Sequence, residues 1–109
     1  MSKVKTEILG PVISDFLKYE ATPQTRVAVA ADTGTKAGKF VEYPLRGKKL
    51  VALTDEADGK VVVQPLNCII DLSKVADADV KAATTGKTLD ALKKEGDAYG
   101  IVYQGTPIA

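Results

Sequence analysis

The sequence predicts an all-β fold, a small barrel or sandwich with one or two short helices and an N-terminal arm. Four or five apolar runs, about ten residues apart and separated by Gly or Pro, are typical of such folds. A length of 109 residues with 45% hydrophobic and 27% charged residues fits one globular domain. We divide the chain into an arm, residues 1–25, and a β-rich domain, residues 26–109.

The arm carries a dense set of apolar residues whose conformation the sequence leaves open. Pro11 suits the first position of a short helix, and the apolar residues after it recur at spacings that place them on one side. Thr22 and Pro23 would end that helix. The alternative is an extended arm that pairs with a neighbour. In either conformation the apolar side chains would be exposed to water unless other residues bury them. We therefore assign them to contacts with a partner or another copy. The candidate contact residues are Ile8, Leu9, Val12, Ile13, Phe16, Leu17 and Tyr19.

The middle of the chain is predicted to form short strands separated by turns. Val27 and Val29 alternate with alanines, as in a half-buried strand. Pro44, in the next apolar stretch, indicates an edge or a bulge. The acidic segment 55–59 ends in an Asp-Gly pair, which is favoured where φ is positive, and is therefore predicted to be a turn. Further strand-like runs cover residues 40–45, 50–53, 60–64 and 66–72.

The last third of the chain predicts two short helices and a closing strand. Asp77 suits the N-cap of a first helix. Thr88 suits the N-cap of a second helix, residues 89–95, with Gly96 as its stop. Apolar residues then alternate over 99–103, which predicts a final strand that closes the sheet.

Composition and charge exclude several classes of function. The chain has no histidine and no tryptophan, which removes His-based triads and His metal sites. Fifteen Lys and Arg against fourteen Asp and Glu leave a net charge of +1, too little to attract nucleic acid or an anionic membrane. No apolar run approaches the roughly 18–20 residues of a membrane span. We therefore expect no enzymatic activity, no cofactor, no nucleic acid and no membrane partner.

Local patterns that could carry chemistry each have a simpler structural explanation. Residues 85–88 resemble the end of a phosphate-binding loop, but the second glycine of that motif is missing. The carboxylates of 55–59 lack the ligand spacing of a calcium loop. Cys68 lies in an apolar run without a basic neighbour, which predicts a packed core cysteine. The basic residues at 46–49 and 93–94 are predicted to be solvated faces.

From Arg26 onward, glycine, alanine and valine occupy turn and strand positions in a distinctive succession. The segments are 27–38 (VAVAADTGTKAG), 47–54 (GKKLVALT), 55–63 (DEADGKVVV), 67–74 (NCIIDLSK) and 96–103 (GDAYGIVY). Over residues 26–104 this pattern resembles the small capsid decoration, or cement, proteins of tailed bacteriophages. Asn67 stands where that family commonly has a glycine, and asparagine also tolerates positive φ.

The resemblance implies a homo-oligomer, a trimer or dimer, on the outer surface of the virion. It would be made in the bacterial cytoplasm, bind the major capsid protein and cement neighbouring subunits, which stabilises the head. The resemblance brings no catalytic, cofactor-binding or metal-binding residues. Two alternatives stay open: another phage structural protein, such as a neck or tail adaptor, and a small β-rich interaction or accessory domain. An apolar arm suits contact by strand addition or by a helix in a groove.

Overall fold

Seven strands of four residues each and two α-helices form the regular structure of the computed structural model, which describes residues 13–84 and 88–109. Short 3-10 turns cover Ile13–Asp15 and Pro23–Thr25. In chain order the strands and helices are β1 (Leu17–Glu20), β2 (Val27–Ala30), β3 (Phe40–Tyr43), β4 (Lys48–Val51), β5 (Lys60–Val63), β6 (Cys68–Asp71), α1 (Asp77–Ala83), α2 (Leu89–Asp97) and β7 (Ile101–Gln104).

The strands form three small sheets. One has the order β1-β6-β7, and the other two are the antiparallel pairs β2-β5 and β3-β4. The predicted β-rich fold with two short helices is confirmed. Within the described residues the strands do not close into a barrel, because each sheet stops after two or three strands.

The strands β6 and β7 run parallel, with Cys68 opposite Ile101 and Asp71 opposite Gln104. A parallel pair cannot be joined by a tight turn, since the chain must first return to the other end of the sheet. Both helices lie in this crossover, between β6 and β7. The predicted final strand is present as β7, which lies at one edge of its sheet.

The chain after residue 12 is neither a helix nor a free arm. A 3-10 turn leads into β1, which pairs antiparallel with β6 of the same chain, Leu17 opposite Ile70 and Glu20 opposite Cys68. The predicted helix is thus wrong over these residues. The extended alternative is right in conformation, but the strand pairs with its own chain rather than with a neighbour. The physical reason is that β6 contributes two buried side chains, and the backbone groups on both of its edges need partners.

A single core joins all three sheets and both helices. Two polar residues, Gln64 and Thr84, are buried together with the hydrophobic residues of this core. The buried hydrophobic residues are Phe16, Leu17, Val29, Val41, Leu50, Val51, Ala52, Leu53, Val61, Val63, Cys68, Ile70, Leu72, Val75, Val80, Leu92, Ile101 and Tyr103.

The start of α2 agrees with the sequence, whereas the start of α1 does not. Thr88 is the N-cap of α2, and its hydroxyl oxygen accepts a hydrogen bond from the backbone N–H of Ala91 at 3.1 Å. Asp77 lies inside α1, whose N-cap is Ala76, with no side-chain capping bond. Asp77 instead forms an ion pair with Lys81 one turn later.

Gly96, predicted to stop α2, lies inside that helix. It marks a close approach between α2 and β7: a Cβ atom at this position would lie 2.6 Å from the carbonyl oxygen of Ile101 and 2.8 Å from the ring of Tyr103. The missing side chain therefore allows the helix to pack against the strand.

Candidate functional site

The predicted contact residues of the arm do not all reach the surface. Phe16 and Leu17 are only 2% and 8% exposed and pack into the core of their own chain, which removes them from the surface open to a partner. Ile13 is partly buried against the same core. Tyr19 on β1 is 58% exposed. Three of the predicted residues lie outside the described residues: Ile8, Leu9 and Val12.

A polar cluster stabilises the end of β1 through hydrogen bonds. The guanidinium of Arg26 donates two hydrogen bonds to the carboxylate of Glu20, and Gln64 Nε2 donates a third at 2.6 Å. The Arg26 hydrogen bond holds the pKa of Glu20 below its ordinary value. Thr25 Oγ1 donates to Gln64 Oε1 at 2.6 Å. Because its oxygens already accept hydrogen bonds, Glu20 stabilises the strand end and is a poor candidate for a general base.

Cys68 is a buried free thiol in β6, as predicted. Its Sγ atom donates a weak hydrogen bond to the carbonyl oxygen of Gln64 at 3.6 Å. Desolvation raises the pKa of the thiol to about 11. The thiolate, which is the reactive form, is therefore scarce at neutral pH, and Cys68 acts as a core residue.

Carboxylates of the acidic turn 55–59 accept hydrogen bonds from backbone N–H groups. Glu56 accepts hydrogen bonds from the N–H groups of Gly34 at 3.1 Å and Gly59 at 2.6 Å, which lower its pKa. Asp55 accepts one from the N–H of Ala37 at 2.9 Å. Positive φ angles at Asp58 and Gly59 confirm the predicted turn. Across residues 13–84 and 88–109, no group of three or more Cys, Asp or Glu side chains is placed to hold a metal ion.

Basic residues that are far apart in sequence meet around one groove of about 220 Å³. We call it the basic groove. Its basic side chains come from the turn between β3 and β4, from β4 itself and from α2, and its apolar wall comes from β4, β7 and the turn before β7. The basic groove is formed mainly by Arg46, Lys48, Lys49 and Lys94 around Leu50, Tyr99, Ile101 and Tyr103.

Arg46 is held in place within the basic groove. Its guanidinium carbon lies 3.4 Å from the ring centroid of Tyr99 and 5.1 Å from that of Tyr43. One guanidinium nitrogen donates a hydrogen bond to the carbonyl oxygen of Pro65 at 2.7 Å. The carbonyl of Tyr99 in turn accepts a hydrogen bond from the N–H of Asn67 at 3.1 Å. The guanidinium is therefore positioned by cation–π contact and by backbone before any ligand arrives.

Among the described residues, the lining of the basic groove carries more positive than negative charge. Glu95 is the one acidic residue among the lining residues, beside four basic ones. The ion pairs of the described residues all lie elsewhere, and none involves these four basic side chains: Arg26–Glu20, Lys39–Asp79, Lys74–Asp15 and Lys81–Asp77. The lining offers cations and apolar walls, which favours binding of an anion.

Sequence reasoning assigned these lysines to solvated faces and missed the basic groove. About fifty residues separate Arg46 from Tyr99, so the spacing carries no sign that they meet. The nearest local signal is Tyr43, three positions before Arg46, since an aromatic ring near an arginine indicates a cation–π contact.

Comparisons of the chain with protein-family models, with curated proteins and with solved structures gave no match. In the described parts of the chain, neither helix has the length and apolar character needed to cross a bilayer.

Proposed function

We propose that the chain is a structural virion protein that binds the outer surface of a phage capsid and cements neighbouring major capsid protein subunits. It acts as a homo-oligomer without a cofactor. The observation that carries the proposal is the distribution of side chains: Cys68, Glu20 and Glu56 are buried or hydrogen-bonded, whereas several large hydrophobic side chains are exposed. Exposed large hydrophobic residues are Tyr19, Leu45, Leu66, Tyr99, Val102 and Ile108.

Binding through surfaces is supported by the chemistry of the reactive groups. Cys68, the chain's one thiol, is buried with a raised pKa. Glu20 and Glu56 have lowered pKa values because they accept hydrogen bonds, so both are ionised and engaged at neutral pH. Groups of this kind stabilise the fold, and contacts with a partner are formed by other residues at the surface.

The surface assigned to the capsid is the N-terminal side of the chain. Among the described residues no strand pairs with the edge of β1 opposite β6, so that edge is open to strand addition. Tyr19 lies on this strand and is exposed. The arm residues Ile8, Leu9 and Val12 precede β1 directly in sequence and stay part of the proposal. Many weak contacts of this kind hold a shell because the copies act together.

Co-sedimentation tests the proposal. The purified chain is mixed with capsids that lack decoration protein, and bound protein is separated by gradient centrifugation. We expect the wild-type chain to sediment with the capsids and to raise the temperature at which they rupture. Failure to sediment would overturn the capsid assignment, and sedimentation with isolated necks or tails instead would favour the adaptor alternative.

Variants locate the contact surface. Deletion of residues 1–12 and Tyr19→Ser are each expected to reduce the bound fraction. Leu45→Ser is the matched control, because Leu45 is 88% exposed but belongs to the turn between β3 and β4 rather than to β1. Equal losses for Tyr19→Ser and Leu45→Ser would contradict the assignment of the β1 side.

A further inference from the structure

We propose that the basic groove binds an acidic segment of a partner protein, which inserts one apolar side chain between the walls of the groove. Carboxylates on either side of that anchor would pair with Arg46, Lys48 and Lys94. The inference goes beyond the proposed function, because it concerns residues other than those of β1 and the arm and holds for any partner with this chemistry.

The size of the groove favours a single side chain over a whole small molecule. Its volume of about 220 Å³ lies below the roughly 300–1,000 Å³ of ordinary small-molecule sites. Leu50, Ile101 and Tyr103 belong to the hydrophobic core and also line the groove, so much of its wall is apolar. Contact with this wall removes part of an apolar side chain from water, which favours its binding.

Arg46 suits a carboxylate in particular. A guanidinium has five N–H donors, and Arg46 uses one nitrogen for the carbonyl of Pro65. Its remaining donors have no hydrogen-bond partner among the described residues, and no carboxylate pairs with it there. Because stacking on Tyr99 already restrains the side chain, little conformational entropy is lost when a carboxylate binds. Arginine binds carboxylates with two parallel hydrogen bonds, which a fixed guanidinium favours.

The same geometry disfavours single-stranded nucleic acid, the other polyanion that a basic surface attracts. Proteins that bind single strands stack successive bases on open aromatic faces. In the basic groove one face of Tyr99 is covered by Arg46 at 3.4 Å, and the guanidinium also lies over Tyr43. Arginine thus covers one face of the Tyr99 ring, whereas the N–H edge of the guanidinium stays available to a carboxylate.

Titration of the full-length protein with defined peptides tests the inference. The probe is a short labelled peptide with a central phenylalanine flanked by glutamates, followed by fluorescence anisotropy and by amide chemical shifts. We expect saturable binding, weakened by salt, with shifts at the groove residues. Peptides with glutamine for glutamate, or with glycine for phenylalanine, are expected to bind about tenfold more weakly.

Two lysines on α2 form a matched pair for mutation. Lys93 and Lys94 are both exposed, but only Lys94 lines the basic groove. We expect Lys94→Glu to weaken binding of the acidic peptide about tenfold and Lys93→Glu to change it less than about twofold, with unchanged thermal midpoints for both variants. Arg46→Lys, which keeps the charge, is expected to weaken binding as well, since the paired hydrogen bonds are lost.

Three results would overturn the inference: no saturable binding of the acidic peptide, equal effects of Lys93→Glu and Lys94→Glu, or tighter binding of oligothymidylate than of the peptide. None of these results depends on capsids. If the chain binds the acidic peptide but not capsids, the inference about the basic groove therefore stands and the proposed function is refuted.

Discussion

Replacement of Gly96 by alanine sets two opposing effects against each other. In a helix, alanine is favoured over glycine by about 1 kcal/mol. At this position, however, the added Cβ would lie 2.6 Å from the carbonyl oxygen of Ile101 and 2.8 Å from the ring of Tyr103. The nearer atom belongs to the backbone of β7, which cannot rotate away as a side chain can, so α2 must shift. Overpacking of this kind costs about 1–3 kcal/mol.

We therefore expect Gly96→Ala to lower the free energy of unfolding by about 1 kcal/mol, because the gain in helix propensity offsets only part of the overpacking cost. For a domain of this size the thermal midpoint would fall by about 4–8 °C. Urea titration followed by circular dichroism measures the first quantity, and a thermal scan measures the second.

Ala82→Gly in α1 is the control for helix propensity. Ala82 is exposed, so its replacement removes no packing, and we expect a loss of about 0.5–1 kcal/mol. If Gly96→Ala is as stable as the wild type or more stable, while Ala82→Gly shows the ordinary loss, α2 does not press on β7 as the structure indicates.

Three further predictions concern the core and the polar cluster. Phe16→Ala is expected to destabilise the monomer by about 3–5 kcal/mol in urea titration, since the ring is buried, and an unchanged midpoint would contradict its place in the core. The Cys68 thiol, with a pKa of about 11, should react slowly with a disulfide reagent at pH 8 and fast after unfolding; rapid reaction of the native protein would show that the thiol is exposed. Because the folded pKa of Glu20 is below its ordinary value of 4.5, its stabilising contribution is complete above that pH and is lost as the pH falls through the folded value. Glu20→Gln should therefore be less stable than wild type at pH 7, and the difference should shrink below about pH 4.5; a constant difference would exclude this role.

Many features of the fold follow from short stretches of sequence. Alternation over 27–30 and a continuous apolar run over 68–70 predict strands, and the structure contains both. Thr88 caps a helix because its hydroxyl lies within reach of an N–H three residues later. Asn67 adopts a φ of 49°, a conformation that asparagine tolerates better than most residues. Each of these depends on the residue itself and its nearest neighbours.

The partners of the strands could not be predicted in the same way. The apolar content of 13–20 suits a helix, a free arm or a core strand equally, and only the open edge of β6 decides for the strand. The parallel pairing of β6 with β7 likewise depends on contacts between residues some thirty positions apart. Local periodicity reports which face of a strand is apolar, but not which neighbour the strand finds.

By itself the sequence determined the composition: a chain without histidine, with one cysteine, nearly balanced charge and short apolar runs separated by turns. Tertiary structure alone decided that Phe16 enters the core and that Gly96 permits a close approach. It also decided that Arg46 and Lys94 face the same groove. The physical reason is that composition and turn propensity are local properties, whereas burial, steric contact and charge density arise when distant segments pack together.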